Sequence, residues 1–171
     1  MAMGKAASVT IRIKKNADGR TSLSCTRSDG TTTWQRQDGG QAAFFPRHDL
    51  THYAVETVLG HSSGFFGLVA AGWDLADFGN PWPRGRLPLD ANISEMIVGF
   101  LDLERGTGEI GRADDLNALL TDFCRENSLS APVPISDDDL NRVRQMRGEV
   151  FSRWDAVAPG DALELAFPPH S

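Results

Sequence analysis

The chain has 171 residues, of which 40% are hydrophobic and 23% are charged, a balance that is typical of a globular protein. The length fits a single domain over residues 1–171 with one sizeable core. The net charge of −6 argues against nucleic acid as the main partner, because phosphate binding needs a basic surface.

The lack of a recognisable targeting signal and the positions of the two cysteines indicate a cytoplasmic protein. The N-terminus lacks an apolar run of signal-peptide length, and no segment approaches the roughly 20 apolar residues of a membrane-spanning helix. Cys25 and Cys124 are far apart, show no CxxC spacing and occupy apolar positions of their predicted elements. This favours buried thiols, although the spacing does not exclude a disulfide. We therefore expect a cytoplasmic protein with no membrane association.

The first part of the chain predicts a small antiparallel sheet. Residues 8–37 alternate between apolar and polar side chains, as in half-buried strands, and turn sequences interrupt the alternation at 16–19 and 28–30. The alternation returns at 162–167, and the simplest place for this late strand is beside the N-terminal meander. We predict a mostly antiparallel sheet of four strands.

From residue 46 onward the hydrophobic spacing becomes helical. About five helices are predicted, over residues 48 or 49 to 59, 65–78, 92–105, 112–127 and 136–157. The loop 79–90 contains three prolines and two glycines, which excludes regular structure there. Helices that pack on one face of the sheet give the predicted fold class, α+β.

Two arginine-bearing segments are candidate surfaces for charged ligands. Arg84 and Arg86 lie beside Trp82 in an extended loop, a combination that suits the binding of a carboxylate or a phosphate and equally suits exposure to solvent. The last predicted helix carries four arginines, which suit either a solvated face or an acidic partner. They are Arg142, Arg144, Arg147 and Arg153.

Candidate chemistry is concentrated in the first predicted helix. Three of the four histidines fall within the fourteen residues from His48 to His61. Each step of four residues drifts by only about 40° around a helix, so His48, His52 and Glu56 share one side. Two imidazoles and a carboxylate suit a metal ion or proton transfer. The helix rises about 12 Å from the first to the last of them, so one ion cannot easily bind all three.

A third or fourth ligand would therefore have to come from another element. The spacing of His48 and His52 matches helical zinc sites with two histidines, and His61 follows Gly60, the predicted end of the helix. Nothing in the sequence selects among the possible further ligands, which are Asp74, Asp77, Glu95 and Asp102.

The segment His48-Asp49-Leu50-Thr51-His52 resembles the HExxH helix of zinc metalloproteases, with aspartate in place of glutamate. The resemblance implies that His48 and His52 bind zinc and that Asp49 is the base that activates water. The segment is also similar to the HDxxH metal motif of a ubiquinone-biosynthesis family. That family continues to a glutamate twelve residues after the second histidine, where this chain has Gly64.

These features predict a small metal-dependent, hydrolase-like enzyme that acts on a small molecule or a protein. His48 and His52 would bind a divalent ion, either zinc, iron or manganese. Glu56 would be a ligand or would orient one, and Asp49 would be the catalytic base. An enzyme should bring His48 or His52 to a concave pocket.

Two alternatives make the cluster structural. In a non-enzymatic interaction or regulatory module, hydrogen bonds would bury the histidines, and an apolar patch would be exposed elsewhere. In a pH-sensitive structural lock, Asp49 or Glu56 would stabilise a charged histidine.

Overall fold

The computed structural model describes residues 7–79 and 82–169. It confirms the α+β class, with a four-stranded antiparallel sheet and five α-helices. The elements in chain order are β1 (Val9–Lys15), β2 (Thr21–Arg27), β3 (Thr32–Gln37), α1 (Gly40–Leu59), α2 (Phe65–Ala70), a 3-10 helix (Leu75–Phe78), α3 (Leu89–Thr107), α4 (Ala113–Glu126), α5 (Asp137–Asp155) and β4 (Ala162–Phe167).

The sheet has the strand order β3-β2-β1-β4, so the last strand pairs with the first, as predicted. In this antiparallel pair Val9 lies opposite Phe167, and Ile13 lies opposite Leu163. These four side chains are buried, while alternate residues of β1 such as Arg12 are exposed. The period-two alternation therefore separates one face against the helices from one face toward solvent.

Helix α1 is longer than predicted. It begins at Gly40, and Pro46 lies inside it instead of marking its start. Pro46 is the seventh residue of the helix, where a proline gives up one backbone hydrogen bond and crowds the carbonyl group of the residue four positions earlier. Here the ring of Phe44 stacks on that of His48, with 5.2 Å between the centroids. The helix ends before Gly60, as the sequence predicts.

The second predicted helix, over residues 65–78, is divided into α2 and the 3-10 helix. Gly72 lies between the two with φ +117°, a conformation that interrupts a right-handed helix. Arg27 on β2 fixes the interruption, because its guanidinium donates hydrogen bonds to the carbonyl oxygens of Val69 and Trp73. The buried arginine ties these segments to the sheet, an interaction that helical periodicity does not reveal.

The predicted helices α3, α4 and α5 are present, and α3 begins a few residues early at Leu89. The irregular loop predicted over 79–90 includes Asn80 and Pro81, which lie outside the described residues, as does the N-terminal segment 1–6. Over residues 7–79 and 82–169, no helix combines the length and the hydropathy needed to cross a membrane.

Helix α1 lies between two hydrophobic clusters. Leu50 and Tyr53 pack with the sheet, whereas Ala54 and Val55 pack with α3, α4 and α5. All residues of α1 from 49 to 56 are consequently buried. A helix that is enclosed in this way places its polar side chains inside the protein, where each of them needs a partner.

Ser136 caps α5 with a reciprocal pair of hydrogen bonds. Its Oγ accepts from the backbone N–H of Asp139 at 3.0 Å, and the Asp139 carboxylate accepts from the backbone N–H of Ser136 at 3.5 Å. We expect Ser136→Ala to lower the free energy of unfolding by about 1 kcal/mol, measured by urea denaturation. Ser130→Ala, in the exposed loop before the helix, is the matched control, and equal losses in both variants would contradict the capping role.

Candidate metal centre

Helices α1 and α3 bring together two histidines and a glutamate. One ring nitrogen from each of His48 and His52 and one carboxylate oxygen of Glu95 all lie within 4.8 Å of one another. Nε2 of His52 is 2.8 Å from Oε2 of Glu95, and Nε2 of His48 is 3.8 Å from Oε1. Imidazole nitrogens and a carboxylate oxygen are common ligands of zinc and of other divalent transition metals.

The opposite nitrogen of each imidazole faces a different carboxylate. Nδ1 of His52 is 3.1 Å from Oε2 of Glu56, and Nδ1 of His48 is 2.7 Å from Oδ2 of Asp102. A proton on Nδ1 that is donated to a carboxylate leaves Nε2 with a free lone pair. When neutral, a histidine oriented in this way offers the lone pair of Nε2 on the side of Glu95, where a metal ligand needs it.

Glu56 is held firmly behind His52. It is 1% exposed, and its Oε1 accepts a hydrogen bond from the backbone N–H of Phe66 at 2.9 Å. A Cβ atom at Gly64 would overlap the Glu56 carboxylate. A glutamate at this position, as in the HDxxH family, would force Glu56 to move. The geometry favours the orienting role of Glu56 over the role of a direct ligand.

Asp49 lies away from the group. Residue 49 is about 100° around the helix from residue 48, which turns it toward the sheet. Its carboxylate is 3.4 Å from Nε2 of Gln37 on β3 and is 3% exposed. The structure does not bring Asp49 to the ligand atoms, and its role as a base stays a prediction from the sequence.

Burial raises the pKa of Asp49 to about 6, although His48, His52 and Gln37 act in the opposite direction. A folded-state pKa above the unfolded value favours the neutral acid. The stability that this shift contributes is fully present below about pH 4 and is lost as the pH rises through 6. We expect Asp49→Asn to match the wild type at pH 4 and to exceed its unfolding free energy at pH 8 by about 3 kcal/mol.

Urea denaturation at the two pH values measures this difference. The exposed turn residue Asp161, changed to asparagine, serves as the control and should show no such pH dependence. A stability gain for Asp49→Asn of equal size at pH 4 and pH 8 would contradict the assignment of the pH effect to this carboxyl.

In the metal-free protein His52 favours the positively charged form, with a proton on each ring nitrogen. Burial lowers the pKa of His52, but its hydrogen bonds to Glu56 and Glu95 outweigh this and raise the pKa to about 10. Hydrogen bonding to His52 also lowers the pKa of Glu95. The centre thus favours a cation between its carboxylates, and a metal ion would compete with the His52 proton.

Aromatic rings surround the two histidines. Phe44 and Phe45 lie 5.2 Å and 5.8 Å from His48, and Phe65 lies 5.3 Å from His52, measured between ring centroids. These apolar rings limit the access of water and restrict the imidazole orientations. Glu95 is different, because 58% of its side chain is exposed, and it marks the solvent side of the centre.

Of the four further ligands that the sequence offers, the structure brings Glu95 and Asp102 to the histidines. The other two carboxylates pair with arginines elsewhere, Asp74 with Arg27 and Asp77 with Arg84. His61 is also apart from the group. Its Nδ1 lies 2.6 Å from the hydroxyl oxygen of the buried Ser94.

A weak signal for the two α3 carboxylates is present in the sequence. Glu95 and Asp102 are seven residues apart and therefore share a helix face. Such pairs are common on solvated helices, so the spacing by itself does not indicate a site. No protein-family model, curated protein or solved structure matches this chain. Any function proposed for the protein therefore depends on the geometry of the residues at this centre.

Proposed function

We propose that the protein binds a divalent metal ion through His48, His52 and Glu95 and uses it in a hydrolase-like reaction. The observation that carries the proposal is the orientation of the two imidazoles. Each imidazole directs Nδ1 to a carboxylate, Glu56 or Asp102, and directs Nε2 toward Glu95. Carboxylates that fix histidine ligands in this way are a general feature of protein metal sites.

The ligand set suits catalysis better than a closed structural site. Two histidines and one carboxylate are the zinc ligands of several hydrolases, and the same set binds iron in mononuclear iron enzymes. When bound, the ion would act as a Lewis acid toward water or a substrate oxygen. The exposed side chain of Glu95 leaves a path from solvent, while Glu56 and Asp102 keep the two imidazoles in place.

Other features support the proposed partner and the proposed location. Cys25 and Cys124 are both buried free thiols, which suits a reducing compartment, and we propose the cytoplasm. The net charge of −6 favours a small molecule or a protein over nucleic acid as the substrate.

Two observations favour a second candidate, a non-enzymatic interaction module. Among the cavities that the described residues form, five with volumes of about 380 to 650 Å³ are not lined by His48, His52 or Glu95. Trp34 is 67% exposed on β3, on the face of the sheet that the helices leave open. In this reading the histidine cluster stabilises the fold, and a protein partner docks around Trp34.

Metal content and affinity test the proposal. Protein purified without a histidine tag is stripped with a chelator and titrated with zinc, iron(II) and manganese. We expect about one equivalent to bind to the wild type, and Glu95→Gln and His52→Ala to lose it. Glu95 is exposed, so its variant should fold normally. His61→Ala removes a histidine from outside the group and should retain the metal.

Full metal binding by both Glu95→Gln and His52→Ala would overturn the proposed ligand set. A hydrolysis assay with ester and phosphoester substrates then separates the two functions. Turnover that requires the metal and disappears in Glu95→Gln supports the enzyme. If the protein binds one equivalent of metal but turns over no substrate of the panel, the result favours the interaction module.

A further inference from the structure

A cavity of about 590 Å³ lies where α1, α3 and α5 meet. Its walls include the aromatic ring of Phe151 and the backbone at Gly108 and Gly148, where the lack of side chains leaves space. Four arginines line it, Arg47, Arg105, Arg144 and Arg147. The chain as a whole is acidic, with a net charge of −6, whereas the four guanidinium groups make the surroundings of this cavity locally positive.

One carboxylate, Glu104, also lines the cavity and fixes two of the arginines. Its oxygens lie 2.9 Å from Nη2 of Arg144 and 3.2 Å from Nη2 of Arg147. Burial alone would raise the pKa of Glu104, but these two arginines outweigh it and lower the pKa below its ordinary value. Glu104 is therefore ionised, so the residues that line the cavity carry one negative and four positive charges, before the outer partners Asp155 and Asp102 are counted.

Arg47 and Arg105 retain donors for a ligand. Among the described residues each makes one side-chain hydrogen bond, Arg47 to Asp155 and Arg105 to Asp102. The Asp155 side chain is 59% exposed, and the bond from Arg105 to Asp102 is long at 3.3 Å. A guanidinium has five N–H donors, so both arginines can bind a further anion without giving up these partners.

The arginines are held in position before any ligand arrives. The Phe151 ring centroid lies 5.0 Å from the Arg47 guanidinium and 5.9 Å from that of Arg147. Arg144 and Arg147 also donate to the backbone carbonyl oxygens of Gly111 and Leu101. Donors that are already ordered lose less conformational entropy on binding, which favours affinity.

We propose that this arginine cavity binds an anionic group, a phosphate or a carboxylate, through Arg47 and Arg105. The planar guanidinium group of arginine binds either a phosphate or a carboxylate through paired, charge-assisted hydrogen bonds. Arg144 and Arg147 supply positive charge at the floor of the cavity. The site does not depend on the proposed metal. Arg105 is nevertheless connected to it, because Asp102 accepts hydrogen bonds from both Arg105 and His48.

Calorimetric titration of the metal-free full chain tests the site, with inorganic phosphate and succinate as separate probes. We expect saturable binding of at least one probe, weakened about tenfold or more in Arg105→Gln and in Arg47→Gln. Arg125→Gln is the matched control, because Arg125 forms an exposed ion pair with Asp122 and does not line the cavity.

Binding of both probes supports a general oxyanion site, and binding of one assigns the chemistry to phosphate or to carboxylate. No saturable binding of either probe would overturn the proposal. Equal affinities in Arg105→Gln, Arg47→Gln and Arg125→Gln would also overturn it. Because the protein is metal-free, neither result depends on whether the histidine centre binds an ion.

Discussion

Replacing Glu56 by glutamine, or Asp102 by asparagine, is expected to weaken zinc binding about 10- to 100-fold. Neither carboxylate is among the three ligands, so the loss would come from the orientation of the imidazoles. Each amide keeps the shape of the acid but removes the negative charge that favours a proton on Nδ1 of His52 or His48. Competition with a chromophoric chelator would measure the dissociation constants.

Two comparisons make this test specific. Asp122→Asn, on the exposed surface of α4, should bind zinc like the wild type. Thermal unfolding of the metal-free variants would identify any loss that is due to misfolding. Unchanged zinc affinity in both Glu56→Gln and Asp102→Asn would show that the hydrogen bonds to Nδ1 do not prepare the histidines for a metal.

Zinc affinity is also expected to rise with pH, by about tenfold per unit and hence about 100-fold from pH 6 to pH 8. In the metal-free protein both ring nitrogens of His52 face carboxylates, and its pKa is raised to about 10. Across this range zinc must displace one proton, and each pH unit makes that displacement tenfold easier. The affinity should level off as the pH approaches 10.

Calorimetry in two buffers of different ionisation enthalpy would count the released protons directly. We expect about one proton per zinc ion from His52 at pH 7, with any further protons coming from other groups at the centre. His61→Ala should show the same proton release, because His61 is outside the group. Zinc binding that releases no proton and is independent of pH would contradict the charged state assigned to His52.

The parts of the fold that the sequence predicts are those fixed by local signals. Alternating side chains identify β1 and β4, and Ser136 with the following aspartates identifies the start of α5. The errors arise where distant contacts override local rules. Pro46 lies inside α1, at a place where Arg47 pairs with Asp155 of the distant helix α5. Gly72 and the hydrogen bonds from Arg27 divide the second helix in a way that periodicity cannot show.

The residues of the candidate centre also differ in whether local spacing or a contact between distant segments identifies them. The spacing of His48 and His52 is local, and so is the pairing of His52 with Glu56, four residues later. Glu95 and Asp102 belong to a helix more than forty residues away in the sequence. Only the packing of α3 against α1 shows that their shared face meets the histidines.

Anomalous diffraction from crystals of the zinc-loaded protein tests the central claim most directly. We predict a zinc peak at about 2.0 to 2.2 Å from Nε2 of His48, Nε2 of His52 and a carboxylate oxygen of Glu95, with Glu56 and Asp102 on the Nδ1 atoms. A zinc ion elsewhere would contradict the account. So would a zinc-soaked crystal in which His52 still bridges Glu56 and Glu95 with no metal between them.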